Sequence, residues 1–308
     1  MYSIAIHGGA GAIPADFLRK DSGAAYRASL STVLDAGFAI LEKGGTSLDA
    51  VNAAVRALED DPLFNSGRGA ALARDGAAEL DAAIMDGKDQ RAGAVASVRH
   101  VKNPVDLARR VMEKSRHVLL VSAGAEEFAL EEGLALVPNL YFRTDERRQQ
   151  LAWEQQGRSV SDLMPMGAVG TQGTVGAVAL DKHGNLAAAT STGGMTNKRQ
   201  GRVGDSPIIG AGTYAKNGVC AISATGQGEY FIRAVAAYHL ASAVEYRKLS
   251  LEAAARELIH TRIPELGGNG GIIAIGARGE IVMDFNTDGM FRAARDSAGR
   301  REVAIERS

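Results

Sequence analysis

Apolar residues recur at helical spacing from about Ala24 to Glu42, through Leu30, Val33, Leu34, Phe38 and Leu41, and Gly44-Gly45 closes the run as a C-cap would. A second helix is predicted from Ser47 to Leu58, with Ser47 as N-cap and Asp49 in its first turn, before the break at Asp60-Asp61-Pro62. The short runs Ala70 to Ala73 and Glu79 to Met85, ended by Arg74-Asp75-Gly76 and Asp86-Gly87, carry the strongest hairpin signal in the chain. Within them, Asp81 reads as an ordinary satisfied polar group. Val95 to Val98 reads as a strand, Asn103-Pro104 opens a helix with Leu107, Val111 and Met112 on one face, and His117 to Val121 reads as a buried strand. A short helix is expected between Gly124 and Gly133.

The second half opens with Gly173-Thr174-Val175-Gly176-Ala177-Val178-Ala179-Leu180-Asp181, a strand-like run of small and β-branched residues. Later come a long alanine-rich helix from Tyr230 to Tyr246, another from Ser250 to His260, and strands Ile272 to Ile275 and Ile281 to Phe285. The run Gly267-Gly268-Asn269-Gly270-Gly271 before them suits either a close approach to a bound molecule or a plain turn. The charged residues from Asp296 onward read as a frayed end. Strands and helices in this order indicate a mixed, layered α/β class, and 308 residues are ample to bury a core.

Composition narrows the chemistry. A net charge of −1 gives no electrostatic footprint for nucleic acid or an anionic membrane, and no apolar run approaches the roughly 20 residues of a membrane span. The start, Met1 to Gly11, reads as a strand entering a glycine-rich turn and not as a secretory signal; with the single cysteine, Cys220, this favours the cytoplasm. His100, His117, His183, His239 and His260 have no partners at metal-ligand spacing, which disfavours a zinc hydrolase.

The candidate chemistry centres on Thr174. A threonine hydroxyl is a weak nucleophile until a base takes its proton, and a threonine at a chain N-terminus carries such a base in its own α-amine, which titrates at about 7.7 to 8.0. This requires cleavage between Gly173 and Thr174, where a glycine permits a strained backbone. Thr225-Gly226, beside Gly228, offers a hydroxyl and glycine N–H groups of the kind that form an oxyanion hole. Arg202 and Asp205 can together read the carboxylate and ammonium of an α-amino acid.

The runs GTVGAVALD, TSTGGMTNK, GRVGDSP and ATGQGE, with IHGGAG, DPLFNSGRGAAL and ELDAAIMDG before them, resemble the plant-type L-asparaginase and isoaspartyl peptidase family of N-terminal nucleophile hydrolases. The match keeps its order over about residues 4 to 290. It implies a four-layer αββα sandwich in one domain, residues 1–308, cut into an α chain of residues 1–173 and a β chain of residues 174–308. It implies Thr174 as nucleophile with Thr192 hydrogen-bonded to it, and Arg202 and Asp205 as the substrate pair. Thr225 and Gly226 fall on the oxyanion hole, Gly228 beside the substrate amine, and Asn65 on the asparagine supporting the oxyanion side.

The same resemblance implies no cofactor for the chemistry, a dimer of αβ units, and a structural sodium ion held by the main-chain carbonyls of Leu58, Glu59, Asp61, Phe64, Ser66 and Arg68. From spacing alone that acidic segment is equally a solvated helix end. The polar stretch 143–173 reads as a flexible processing linker whose first half has helical character. The expected substrates are L-asparagine and β-aspartyl dipeptides. A glycosylasparaginase-like amidase, a threonine endopeptidase of the same fold and a non-cleaving metabolite-binding protein are the alternatives.

Overall fold

A computed structural model describes residues 1–13, 21–158 and 173–307. Two stacked β-sheets carry helices on their outer faces, giving the four-layer αββα arrangement of the N-terminal nucleophile hydrolases. The first half runs β1 (Ser3–Gly11), α1 (Asp21–Glu42), α2 (Ser47–Asp60), β2 (Leu80–Asp86), β3 (Ala92–Val98), α3 (Pro104–Lys114), β4 (Leu119–Val121), α4 (Ser122–Glu131) and α5 (Asp145–Gln155). The second runs β5 (Val175–Leu180), β6 (Leu186–Thr192), β7 (Thr213–Lys216), β8 (Cys220–Gly226), α6 (Gly228–Ala234), α7 (Ala236–Glu245), α8 (Leu251–Glu257), a π-helical turn Leu258–Arg262, α9 (Ile263–Glu265), β9 (Gly270–Gly276), β10 (Ile281–Phe285), β11 (Gly289–Asp296) and β12 (Arg301–Glu306).

The larger sheet has the order β12-β11-β1-β5-β6-β2-β3-β4 and the smaller β10-β9-β8-β7. Every pairing is antiparallel except β3 with β4. Alternation along a strand assigns the two faces: in β5, Val175, Ala177 and Ala179 face helices α1 to α3, while Val178 and Leu180 join the core shared with the smaller sheet. Because β5 lies between β1 and β6, its first residues emerge at the middle of the larger sheet. β8 delivers Thr225 and Gly226 to the end of the smaller sheet.

Several elements differ from the pattern reading. Thr46, not Ser47, caps α2, accepting the Asp49 N–H at 3.1 Å. Residues 70–73 form no strand, only an isolated Leu72–Ala78 bridge, and the true hairpin joins β2 to β3. The apolar run at 117–121 is an exposed edge: Val118, Leu119 and Val121 each keep about half of their surface in solvent, since β4 pairs on one side only. The expected long helix from Tyr230 is two, divided at Val235, which adopts a left-handed φ of 48°. The C-terminal residues are not frayed, because Arg301–Glu306 pairs with β11.

The first part of the expected flexible linker is the docked helix α5, which buries Arg147, Gln150 and Leu151. Arg147 Nε donates to the Gly69 carbonyl at 2.6 Å and its Nη1 to Gln150 Oε1 at 2.9 Å. Its amphipathic signal is weak because the anchor is a buried guanidinium. The rest of that linker, 159–172, lies outside the described residues.

Candidate active site

Thr174 immediately precedes β5, and its hydroxyl donates to Thr192 Oγ1 at 3.2 Å. Thr192 ends the neighbouring strand β6, and its Oγ1 also accepts the Gly194 N–H at 2.9 Å. Adjacent strands therefore align the two hydroxyls. A narrow cleft of about 10 Å³, room for one water, opens beside them. Gly173, Thr174, Thr192, Arg202, Asp205, Gly226 and Gly228 all line it.

Asp205 is buried, and its Oδ2 has no hydrogen-bond partner among the described residues. Burial raises its pKa to about 7, against the lowering pull of Arg202. A buried carboxylate facing a cleft with an unpartnered oxygen is poised for a cation. Gly228 makes the space: a Cβ there would lie 2.8 Å from Asp205 Oδ1.

Arg202 closes the same side. Its Nε and Nη2 donate to Glu229 Oε1 and Oε2 at 2.9 and 2.8 Å, a bidentate pair. This partner was not foreseen. Glu229 stands 27 residues on, and no local spacing links the two.

Thr225 is fully buried and lies behind the lining. Its Oγ1 accepts the Ala10 N–H at 3.3 Å, leaving its own proton free to donate. Gly226 reaches the lining with φ of 145°, where a Cβ would sit 2.5 Å from the Asn269 carbonyl, so a side chain is excluded. The neighbouring glycine run serves close approach within the fold, since a Cβ on Gly270 would lie 2.3 Å from the Thr225 carbonyl.

Asn65 is also behind the cleft. Its Nδ2 donates to the Gly194 carbonyl at 2.7 Å and its Oδ1 accepts the Ala71 N–H at 2.7 Å. It thus clasps the loop after Thr192 instead of reaching the cleft. Nor does packing demand a glycine at 173, because an added Cβ would meet Asn65 Cβ at 3.4 Å and the Gly8 carbonyl at 3.5 Å, both ordinary contacts.

Asp81 departs from its expected role. It is fully buried opposite Thr192 in the β2–β6 ladder, with Oδ1 accepting the Ser97 N–H at 2.8 Å and Oδ2 without a partner among the described residues. Burial raises its pKa, opposed by Lys198 and Arg202. Lys198 is itself buried, donating to the Glu79 carbonyl at 2.8 Å, and desolvation lowers its pKa. These charges back the cleft wall; their residue types are legible in the sequence, but their convergence is not.

Among the described residues, no three His, Cys, Asp or Glu side chains converge as a metal site. In the loop proposed for sodium, three of the six carbonyls already accept protein donors: Leu58 from Ser66 Oγ at 3.3 Å, Glu59 from Arg68 N at 2.7 Å and Asp61 from Phe64 N at 3.3 Å. Each carbonyl keeps a second lone pair, and neutral oxygens suit a hard monovalent ion, so the donor set fits.

Fold and site together define an amide hydrolase of the N-terminal nucleophile class. The chain matches the family model described as "Asparaginase" over residues 1–305 and belongs to that family. It is 51% identical over 293 residues to the isoaspartyl peptidase of Salmonella typhimurium, covering 94% of each chain. It is 51% identical to the Escherichia coli isoaspartyl peptidase, covering 94% of this chain and 91% of that one. To the human isoaspartyl peptidase/L-asparaginase it is 41% identical over 296 residues, covering 95% and 93%. No helix among the described residues is long and apolar enough to cross a membrane.

Proposed function

We propose that this enzyme cleaves itself between Gly173 and Thr174 and then uses Thr174 to hydrolyse L-asparagine and the isopeptide bond of β-aspartyl dipeptides. The observation that carries this reading is the cleft itself: the Thr174 hydroxyl shares it with Arg202 and with the buried carboxylate of Asp205. That pair matches the α-carboxylate and α-ammonium common to both substrates. The names of the relatives support the same two substrates.

In maturation, Thr174 Oγ1 adds to the Gly173 carbonyl carbon, the C–N bond breaks as the nitrogen takes a proton, and an ester results. Water hydrolyses that ester and leaves Thr174 with a free α-amine. In turnover, this amine accepts the hydroxyl proton while Thr174 Oγ1 attacks the substrate's side-chain carbonyl. Thr192 orients the hydroxyl. The Thr225 hydroxyl and Gly226 N–H donate to the oxyanion, each worth roughly 2.7 to 4 kcal/mol in a comparable hole. Ammonia or an amino acid leaves with the proton, and water then hydrolyses the aspartyl ester.

We further propose that the working unit is a dimer of cleaved αβ pairs in the cytoplasm, a setting that suits one buried, unpaired Cys220. A sodium ion on the carbonyls of Leu58, Glu59, Asp61, Phe64, Ser66 and Arg68 would shape the loop that presents Asn65 and supply no chemistry.

The test is intact mass and N-terminal sequencing after incubation, followed by assays on both substrates. Two fragments, one beginning at Thr174, are expected from the wild type, and Thr174→Ala should give one inert chain. A cleaved or active Thr174→Ala protein would remove Thr174 from the mechanism.

A further inference from the structure

Beneath the cleft lies a chain of buried polar side chains that no step above uses. His7, Gly176 and Thr190 stand side by side on β1, β5 and β6, as the ladder pairs His7 with Gly176 and Gly176 with Thr190. Gly176 has no side chain, and Ser223 from the facing sheet fills the gap. A Cβ on Gly176 would lie 2.0 Å from Ser223 Oγ and 2.5 Å from His7 Nε2. Ser223 Oγ is 2.9 Å from His7 Nε2 on one side and 2.7 Å from Thr190 Oγ1 on the other. Thr213 extends the chain, with its Oγ1 2.7 Å from Thr190 Oγ1 and 3.0 Å from the Ser206 carbonyl. All four side chains are fully buried.

We propose that Ser223 is a positioning residue, and that the chain His7–Ser223–Thr190–Thr213 fixes the spacing between the nucleophile strand and the oxyanion strand. Gly176 lies two residues after Thr174 on β5, and Ser223 lies two residues before Thr225 on β8. The Ser223 hydroxyl in the Gly176 gap therefore pins the two sheets together within two residues of both reacting groups. The far end of the chain reaches the carbonyl of Ser206, the neighbour of Asp205, so the ammonium site is tied to the same frame.

The chemistry suits a fixed spacer. Burial holds His7 neutral, with its pKa lowered to about 3, and a neutral ring can accept from Ser223 or donate to it. With Thr213 donating to Thr190, the three hydroxyls line up head to tail toward His7 Nε2, which then accepts from Ser223. The other ring nitrogen, Nδ1, is buried with no hydrogen-bond partner among the described residues. A hydrogen-bonded contact at a gap that excludes even a methyl group tolerates little sliding between sheets.

This inference rests on Thr174 being the nucleophile, so the wild type and Thr174→Ala are run beside the variants. Ser223→Ala and the near-isosteric Thr190→Val are purified, checked for cooperative unfolding, and assayed for self-cleavage and for kcat and KM on asparagine and a β-aspartyl dipeptide. Misplacing a reacting group by a fraction of an ångström to 1 Å should lower kcat about 10- to 100-fold with KM held within about twofold. Self-cleavage should slow in parallel. His7→Gln, which keeps a polar atom near Nε2, should retain more kcat than His7→Leu. Folded Ser223→Ala and Thr190→Val proteins with wild-type kcat, or a raised KM at unchanged kcat, would overturn the proposal. If the wild type is not cut before Thr174 and Thr174→Ala stays active, the nucleophile assignment fails instead. Should one variant not fold, the other carries the test.

Discussion

Glu229 grips Arg202 through both Nε and Nη2, so the guanidinium that lines the cleft is held in plane by a bidentate carboxylate. Glu229 is half exposed, which screens the pair, and Arg202 lowers its pKa. The value of the contact lies in orientation more than in stability. Glu229→Gln should raise KM for asparagine roughly 3- to 5-fold, about 1 kcal/mol, with kcat within twofold. Steady-state kinetics on the processed protein check this; a lower KM would mean that Glu229 competes with substrate for Arg202.

Asp205 gives activity a pH signature. Its pKa is raised to about 7 by burial, so below that pH the free enzyme holds it protonated and unable to pair with an ammonium. The Thr174 amine, titrating at about 7.7 to 8.0, must also lose a proton. Two deprotonations predict that log kcat/KM rises with a slope near 2 below pH 7. In Asp205→Asn the slope should fall to about 1 and kcat/KM should drop by about 100-fold or more. An unchanged slope would separate Asp205 from the substrate ammonium.

Stability should decline as pH rises from about 4.5 to about 8 through Glu59. This side chain is fully buried, with Oε1 accepting from Ser191 Oγ at 2.6 Å and Val105 N at 3.0 Å while Oε2 has no partner among the described residues. Burial raises its pKa to about 8. The folded state thus keeps a proton that the unfolded state releases above about 4.5. Its contribution is fully present below that value and disappears as pH climbs through 8, at up to about 1.4 kcal/mol per pH unit. Melting temperature measured from pH 5 to 9 should fall less steeply for Glu59→Gln than for the wild type.

Asn65 should matter through the loop it clasps. Removing its amide leaves the Gly194 carbonyl and the Ala71 N–H unpaired in a buried setting, at about 1 to 3 kcal/mol each. Asn65→Ala should therefore lose about 2 kcal/mol or more of stability by denaturant titration and slow self-cleavage, because the Thr192 loop loosens. Normal stability with lost activity would instead place Asn65 in direct contact with the reacting groups.

The division between sequence and fold follows from the range of each interaction. A glycine-threonine junction before a small-residue strand, and glycine-rich turns carrying Arg202, Asp205 and Thr225-Gly226, are local features; they named most of the cleft lining and the family before any packing was known. Tertiary structure alone decided that β4 lies at an exposed edge, that Val235 breaks a helix, and that a polar segment docks through Arg147. It also bonded Asn65 to the loop after Thr192, paired Arg202 with Glu229, and lowered Ser223 into the gap at Gly176. Each of those outcomes depends on side chains brought together from separate strands or loops, where burial and hydrogen-bond satisfaction decide a role that residue type and spacing leave open.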